Sequence, residues 1–153
     1  MKKIIFVCTS NICRSAMGHA LMKKRVEELE KDITVYSCGI YASTGEKPTN
    51  HAIQVMQRYG VDLSNHSAIN IHESDIENMD LILCATISHK NIIIKFYPRL
   101  KAKVYTIKEY AQYNPNSLDQ DINDPYGGSI ESYEKCAAEL SECIEMMLKK
   151  DFE

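Results

Sequence analysis

No stretch of this chain is rich enough in glycine, proline and serine to act as a linker, and no segment repeats, so its 153 residues are expected to fold as one domain, residues 1–153, around a single core. A charge excess is missing too. The 18 Lys and Arg against 21 Asp and Glu leave a net charge of −3, with no arginine-rich arm or basic face, so no nucleic acid partner is expected. There is no long apolar run. Met1-Lys2-Lys3 and the apolar residues after it imitate the start of an export signal, but Cys8 to Asn11 ends the run too early for a signal or a membrane span, and a cytoplasmic protein without membrane association is expected. The 6 cysteines, at positions 8, 13, 38, 84, 136 and 143, include no CxxC pair and have no histidine couplet nearby. That spacing argues against a zinc site or a disulfide framework, and no metal or cofactor is expected.

What is present is concentrated in Val7-Cys8-Thr9-Ser10-Asn11-Ile12-Cys13-Arg14-Ser15, entered from an apolar strand-like stretch and left through a helix-forming sequence. The five residues between Cys8 and Arg14 let the backbone curl once around a tetrahedral oxyanion, so that successive N–H groups and the guanidinium converge on its oxygens. Cys8 then lies beneath the phosphorus, and the positive end of the following helix favours both the anion and a thiolate. A buried structural cysteine beside a surface arginine is the plainer alternative. The strand before the loop, its small polar residues and the inward face offered by Met17, Ala20, Leu21 and Leu29 weigh against it. Within the loop, Asn11 suits a positive φ and can brace neighbouring turns, and Ser15 can donate to the sulfur. Thr9, Ser10, Ile12 and Cys13 complete the anion-binding curl.

Strand-like runs at 3–7, 34–37, 81–84 and 103–105 alternate with helical patterns at 15–30, 50–59, 88–96 and 129–149, which predicts an α/β fold with a central parallel four-stranded sheet flanked by helices. Ligands of such sheets bind beyond the carboxyl ends of the strands, where the Cys8 loop falls. In the last helix Ile130, Tyr133, Ala137, Leu140, Ile144 and Met147 form one apolar face for the sheet. Residues 109–128 lack periodicity and read as one long functional loop.

Hydrolysis of a phosphate ester requires neutralisation of the phosphoryl oxygens and a proton for the leaving group. Arg14 and the loop amides answer the first need while Cys8 attacks in line. Asp124, stiffened by Pro125 and followed by Gly127 and Gly128, is the candidate acid and then the base for water. An ordinary Asx turn is its bland alternative. Asp119 and Asp121 lack the proline-glycine setting and read as solvated charges, and His66 reads equally as a capped surface histidine or as a support behind the loop.

Taken together, these residues resemble the low-molecular-weight protein tyrosine phosphatases over essentially the whole chain, through the cysteine–five residues–Arg14-Ser15 loop, the late Asp124-Pro125 pair and the tandem Cys8 and Cys13. The resemblance implies Cys8 as nucleophile, Arg14 as phosphate clamp and Asp124 as general acid, with Ser37 and His66 in a hydrogen-bond network holding Asn11 and Ser15. Ser10 departs from the usual glycine and Ala16 from the usual proline, so a positive φ at Ser10 would cost stability.

The segments 38–43, 108–110 and 124–129 resemble the bacterial branch that includes protein-arginine phosphatases. Ile12 stands where those enzymes carry threonine, which favours phosphotyrosine in a phosphorylated protein substrate. Tyr41 and Tyr126 are candidate aromatic walls for the ring, or else core residues. Cys13 is expected near Cys8, as a resolving thiol on oxidation or as simple packing. Two rivals are weaker: an arsenate reductase would need a second cysteine shortly after Cys84, and a silent phosphate-binding module would need neither Cys8 nor Asp124.

Overall fold

The computed structural model describes residues 2–150, so Met1 and residues 151–153 of the expected domain lie outside the described residues. Four strands, β1 (Lys2–Cys8), β2 (Ile33–Gly39), β3 (Leu81–Cys84) and β4 (Val104–Thr106), form one parallel sheet in the order β2-β1-β3-β4. The helices are α1 (Arg14–Glu28), α2 (Asn50–Arg58), α3 (Ile87–Phe96), α4 (Ile107–Ala111) and α5 (Ile130–Lys150). The strand order reverses at β1, where β2 leaves on one side and β3 on the other, and the crevice beyond that point holds the Cys8 loop.

The pleat of β1 divides the interior. Ile4, Phe6 and Cys8 face a core shared with α1, α2, α4 and α5, whereas Ile5 and Val7 face a smaller core with Ile82, Cys84, Ile93 and Val104. This period of two, buried on both faces, is why the strand reads as a continuous apolar run. The buried face of α5 includes Tyr133, Ala137, Leu140, Ile144 and Met147 as expected; its principal neighbours are α1, α2 and α4 rather than the sheet.

Four expectations need correction. The loop proposed for 109–128 starts later, because Thr106 and Glu109 form a reciprocal capping box that opens the short α4. Five residues are too few to show a period. The fourth strand begins at Val104, since Lys103 still closes a 3-10 turn from Pro98. The first helix stops at Glu28, because Glu30 turns left-handed with φ 53°. Asp121 is not merely a solvated charge: its Oδ1 accepts the Ile87 N–H at 2.8 Å, tying the loop to the first residue of α3.

Candidate active site

Leaving β1, the backbone curls through residues 8–13 and enters α1 at Arg14, whose first turn contains no carboxylate to compete with an anion. Asn11 is the pivot of the curl. It has φ 59°, as expected for this residue type, whereas Ser10 is not left-handed and incurs no strain of that kind. The Asn11 side chain is completely buried and used at both ends: Nδ2 donates to Ser15 Oγ at 2.8 Å, and Oδ1 accepts the Ile69 N–H at 3.0 Å. Its backbone N–H points at Cys8 Sγ, 3.3 Å away, and its carbonyl meets His66 Nε2 at 2.8 Å.

Because Ser15 Oγ already accepts from Asn11, its own proton is free for Cys8 Sγ at 2.9 Å, the closer of its two further partners, the Cys38 carbonyl being 3.4 Å away. Donors therefore converge on the sulfur and stabilise negative charge there. The other cysteines differ. Burial pushes the thiols of Cys38, Cys136 and Cys143 up to about 12, and Cys84 further still, so these remain neutral packing groups. The wholly buried Cys84 has no route to act as a relay. Cys13 is buried against Tyr133 Oη at 3.4 Å and Thr49 Oγ1 at 3.7 Å, and burial raises its pKa as well.

Arg14 is 5% exposed. Its Nη1 donates to the Ile122 carbonyl at 3.0 Å, Nη2 reaches Thr9 Oγ1 at 3.4 Å, and Asp124 Oδ2 lies 3.6 Å from Nη2. Asp124 is about half exposed and its Oδ1 accepts the Tyr126 N–H at 3.1 Å, so the Asx turn exists in addition to the approach to Arg14. A cavity of about 60 Å³ is lined by residues 8–14 together with Asp124 and Tyr126, room for one small oxyanion. A wider groove of about 400 Å³ behind the loop mixes Lys23, Lys24, Glu27 and Asp62 with two histidines and converges no charge on one point.

Not every expected residue is in the cavity. Tyr126, 66% exposed, lines it; Tyr41, 71% exposed, does not, although its backbone N–H donates to the Thr9 carbonyl at 2.9 Å. Neither is core packing. Ser37 touches neither Asn11 nor Ser15: its hydroxyl pairs with His19 Nδ1 at 2.9 Å, and the His19 ring meets His66 edge-on at 6.3 Å. Burial, with His66 next, lowers His19 to about 4, and burial also lowers His66. His66 thus meets the loop at the Asn11 carbonyl, and His19 stands between it and Ser37.

Several participants escaped the sequence reading. His19 and His89 carried no motif, and the Ile122 carbonyl and Ile69 amide are backbone groups that no residue type announces. Gly39 is required by close approach, since a Cβ there would lie 2.6 Å from the Thr9 carbonyl oxygen and 2.9 Å from the Asn11 nitrogen. Glycine at a strand end facing the loop was the available signal.

A parallel α/β sheet whose reversal point carries an anion-sized cradle with a cysteine at its floor defines a cysteine-dependent phosphohydrolase. The model of the low molecular weight phosphotyrosine protein phosphatases matches residues 3–151, and the chain belongs to that family. It is 39% identical over 151 residues to a protein-arginine-phosphatase of Bacillus subtilis, covering 97% of each chain. It is 30% identical over 143 residues to the low molecular weight protein-tyrosine-phosphatase PtpB of Staphylococcus epidermidis, covering 94% of each. The crystal structure of a low molecular weight protein tyrosine phosphatase from T. tengcongensis superposes with a TM-score of 0.89 at 36% identity, covering 98% of this chain and 99% of that one.

Proposed function

We propose that this enzyme hydrolyses phosphotyrosine in protein substrates, with Cys8 as nucleophile, Arg14 as clamp and Asp124 as acid and then base. The dianion takes over the Arg14 guanidinium and the loop amides and displaces Asp124, whose carboxyl then faces the leaving oxygen. The Cys8 S–P bond forms as the P–O bond to the phenol breaks, and the Asp124 proton passes to that oxygen. In the second step Asp124 takes a proton from water, the water oxygen bonds to phosphorus, and the S–P bond breaks to release phosphate and the thiolate. Thr9, Ser10, Asn11, Ile12, Cys13 and Ser15 form the binding curl, and Tyr126 supplies one wall. Tyr41, outside the cavity, is retained as a second contact for the ring only once substrate is bound.

The observation that carries the choice of substrate is Ile12, an apolar side chain 6% exposed at the wall of the cavity. A guanidinium leaving group brings N–H donors that isoleucine leaves unpaired, at a cost of about 1–3 kcal/mol or roughly ten- to a hundredfold in selectivity, whereas a phenyl ring has no such need. Phosphoarginine is the second reading, favoured by the identity with the Bacillus subtilis enzyme.

Comparing kcat/KM on phosphotyrosine and phosphoarginine peptides separates the two, with phosphotyrosine expected to lead. Ile12→Thr should shift the ratio at least about tenfold toward phosphoarginine. Preference for phosphoarginine in the unaltered enzyme would reject the first reading. We infer a single catalytic domain over residues 1–153 acting in the cytoplasm on phosphoproteins, without nucleic acid or membrane. The net charge of −3 offers no basic excess to nucleic acid, and no helix among the described residues is long and apolar enough to cross a bilayer.

A further inference from the structure

His89 lies outside the cavity lining and is 6% exposed at the start of α3, yet both of its ring nitrogens are engaged. Nε2 lies 2.9 Å from Thr9 Oγ1 and Nδ1 lies 3.0 Å from Thr86 Oγ1. A guanidinium only donates, so Thr9 Oγ1 is the acceptor of the Arg14 Nη2 bond and keeps its own proton available for His89 Nε2. With Nε2 accepting that proton, the ring proton sits on Nδ1, within reach of Thr86 Oγ1. Thr86 Oγ1, capping α3, also accepts the His89 backbone N–H at 3.1 Å.

The second tether of Arg14 starts from the same place. The Ile122 carbonyl that holds Nη1 belongs to a residue whose N–H donates to the Ala85 carbonyl at 2.8 Å. Residues 85–89 are therefore the common base for both tethers of the guanidinium.

We propose that His89 is a positioning residue, which as the neutral Nδ1–H tautomer orients the Thr9 hydroxyl so that it holds the Arg14 guanidinium ready for phosphate. The proposal rests on Arg14 being the phosphate clamp. A free guanidinium has rotamers to lose when the anion arrives, and two tethers on rigid elements remove that cost beforehand. A charged imidazole would present a donor where the hydroxyl needs an acceptor. Burial, with the Arg14 charge next, lowers His89 to about 4, in keeping with the neutral form.

The test combines kinetics on an aryl phosphate with the affinity for inorganic vanadate. His89→Leu is expected to lower kcat/KM and to weaken vanadate binding, each about tenfold, the scale of one lost transition-state donor or less. His89→Gln, which keeps an acceptor near the Nε2 position, is expected to restore both to within about threefold, and His89→Asn, whose shorter side chain stops near Nδ1, is not. Because His89 acts through Thr9, adding His89→Leu to Thr9→Val should cost nothing more than Thr9→Val alone.

Full additivity of the two losses, or equal failure of the glutamine and leucine variants, overturns the proposal. If His89→Leu does not fold, Thr9→Val and Thr9→Ser decide: a gap of about tenfold in vanadate affinity in favour of serine is expected, and equal affinities overturn it. Arg14→Lys with unchanged vanadate affinity would instead defeat the clamp reading itself, a separate result from any of these.

Discussion

The two loops that meet over the cavity are built on opposite principles. In residues 8–15 the side chains of Cys8, Asn11, Arg14 and Ser15 are buried, and Ser15 is tethered to β2, Thr9 to α3, Asn11 to the segment around 69 and Arg14 to that around 122. In residues 112–129 the chain is mostly exposed, Leu118 entirely so, and Gln112, Asn114 and Gly127 all adopt positive φ. This second loop bonds to the first or its base at Asp121, Ile122 and Asp124. Charge stabilisation gains most from groups fixed before the reaction, whereas Asp124, in the acid role proposed for it, must leave Arg14 and meet leaving groups of varying shape. The difference teaches that the proposed binding and protonation roles lie on separable parts of the chain.

Cys8→Ser tests that separation most severely. Turnover should drop by at least about 10⁴-fold while inorganic phosphate still binds with near-native affinity, because the amides and Arg14 remain. Calorimetric titration alongside steady-state kinetics checks it, and substantial residual turnover would remove the covalent step. Asp124→Asn should slow turnover about a hundredfold on phosphotyrosine with much less effect on binding, and the loss should shrink for esters of strongly acidic phenols. A Brønsted plot of kcat against leaving-group acidity reads this directly; parallel lines for the two enzymes would take the acid role from Asp124.

Damage to the rigid loop should instead appear in stability. Asn11→Ala loses the bonds to Ser15 and Ile69 and places alanine in the left-handed region, at a cost of about 3 kcal/mol or roughly 6–12 °C in Tm. Asn11→Gly keeps the backbone and should recover part of that loss in thermal melts. A variant at Asp124 should melt within about 2 °C of the parent.

The smallest effect concerns pH. His19, held near 4 by burial and then by His66, takes up its proton more readily in the unfolded chain, near 6.5. The unfolded state therefore binds more protons between those values, so stability is full above pH 6.5 and falls as pH drops toward 4. His19→Gln should flatten this slope when the unfolding free energy from urea titrations is followed between pH 6.5 and 4. An unchanged slope would show that the pair behind the loop carries no linkage.

What the sequence determined by itself is local. The curl from Cys8 to Ser15, the left-handed Asn11, the Asp124 turn and the four strands with their main helices are encoded by neighbours within a few residues, or by periods long enough to read. Tertiary structure decided what lies behind the loop. His89 reaches Thr9 across 80 residues and Ile122 reaches Arg14 across 108, contacts that no spacing rule records. Ser37 found His19 rather than Asn11, Tyr41 fell outside the cavity, and Ser10 escaped the strained angle, because packing between β1, β2 and α1 set directions that residue identity leaves open. A nucleophile and its cradle can be written in one contiguous segment. The orientation of a guanidinium requires fixed points on several sides, and only the folded chain brings them together.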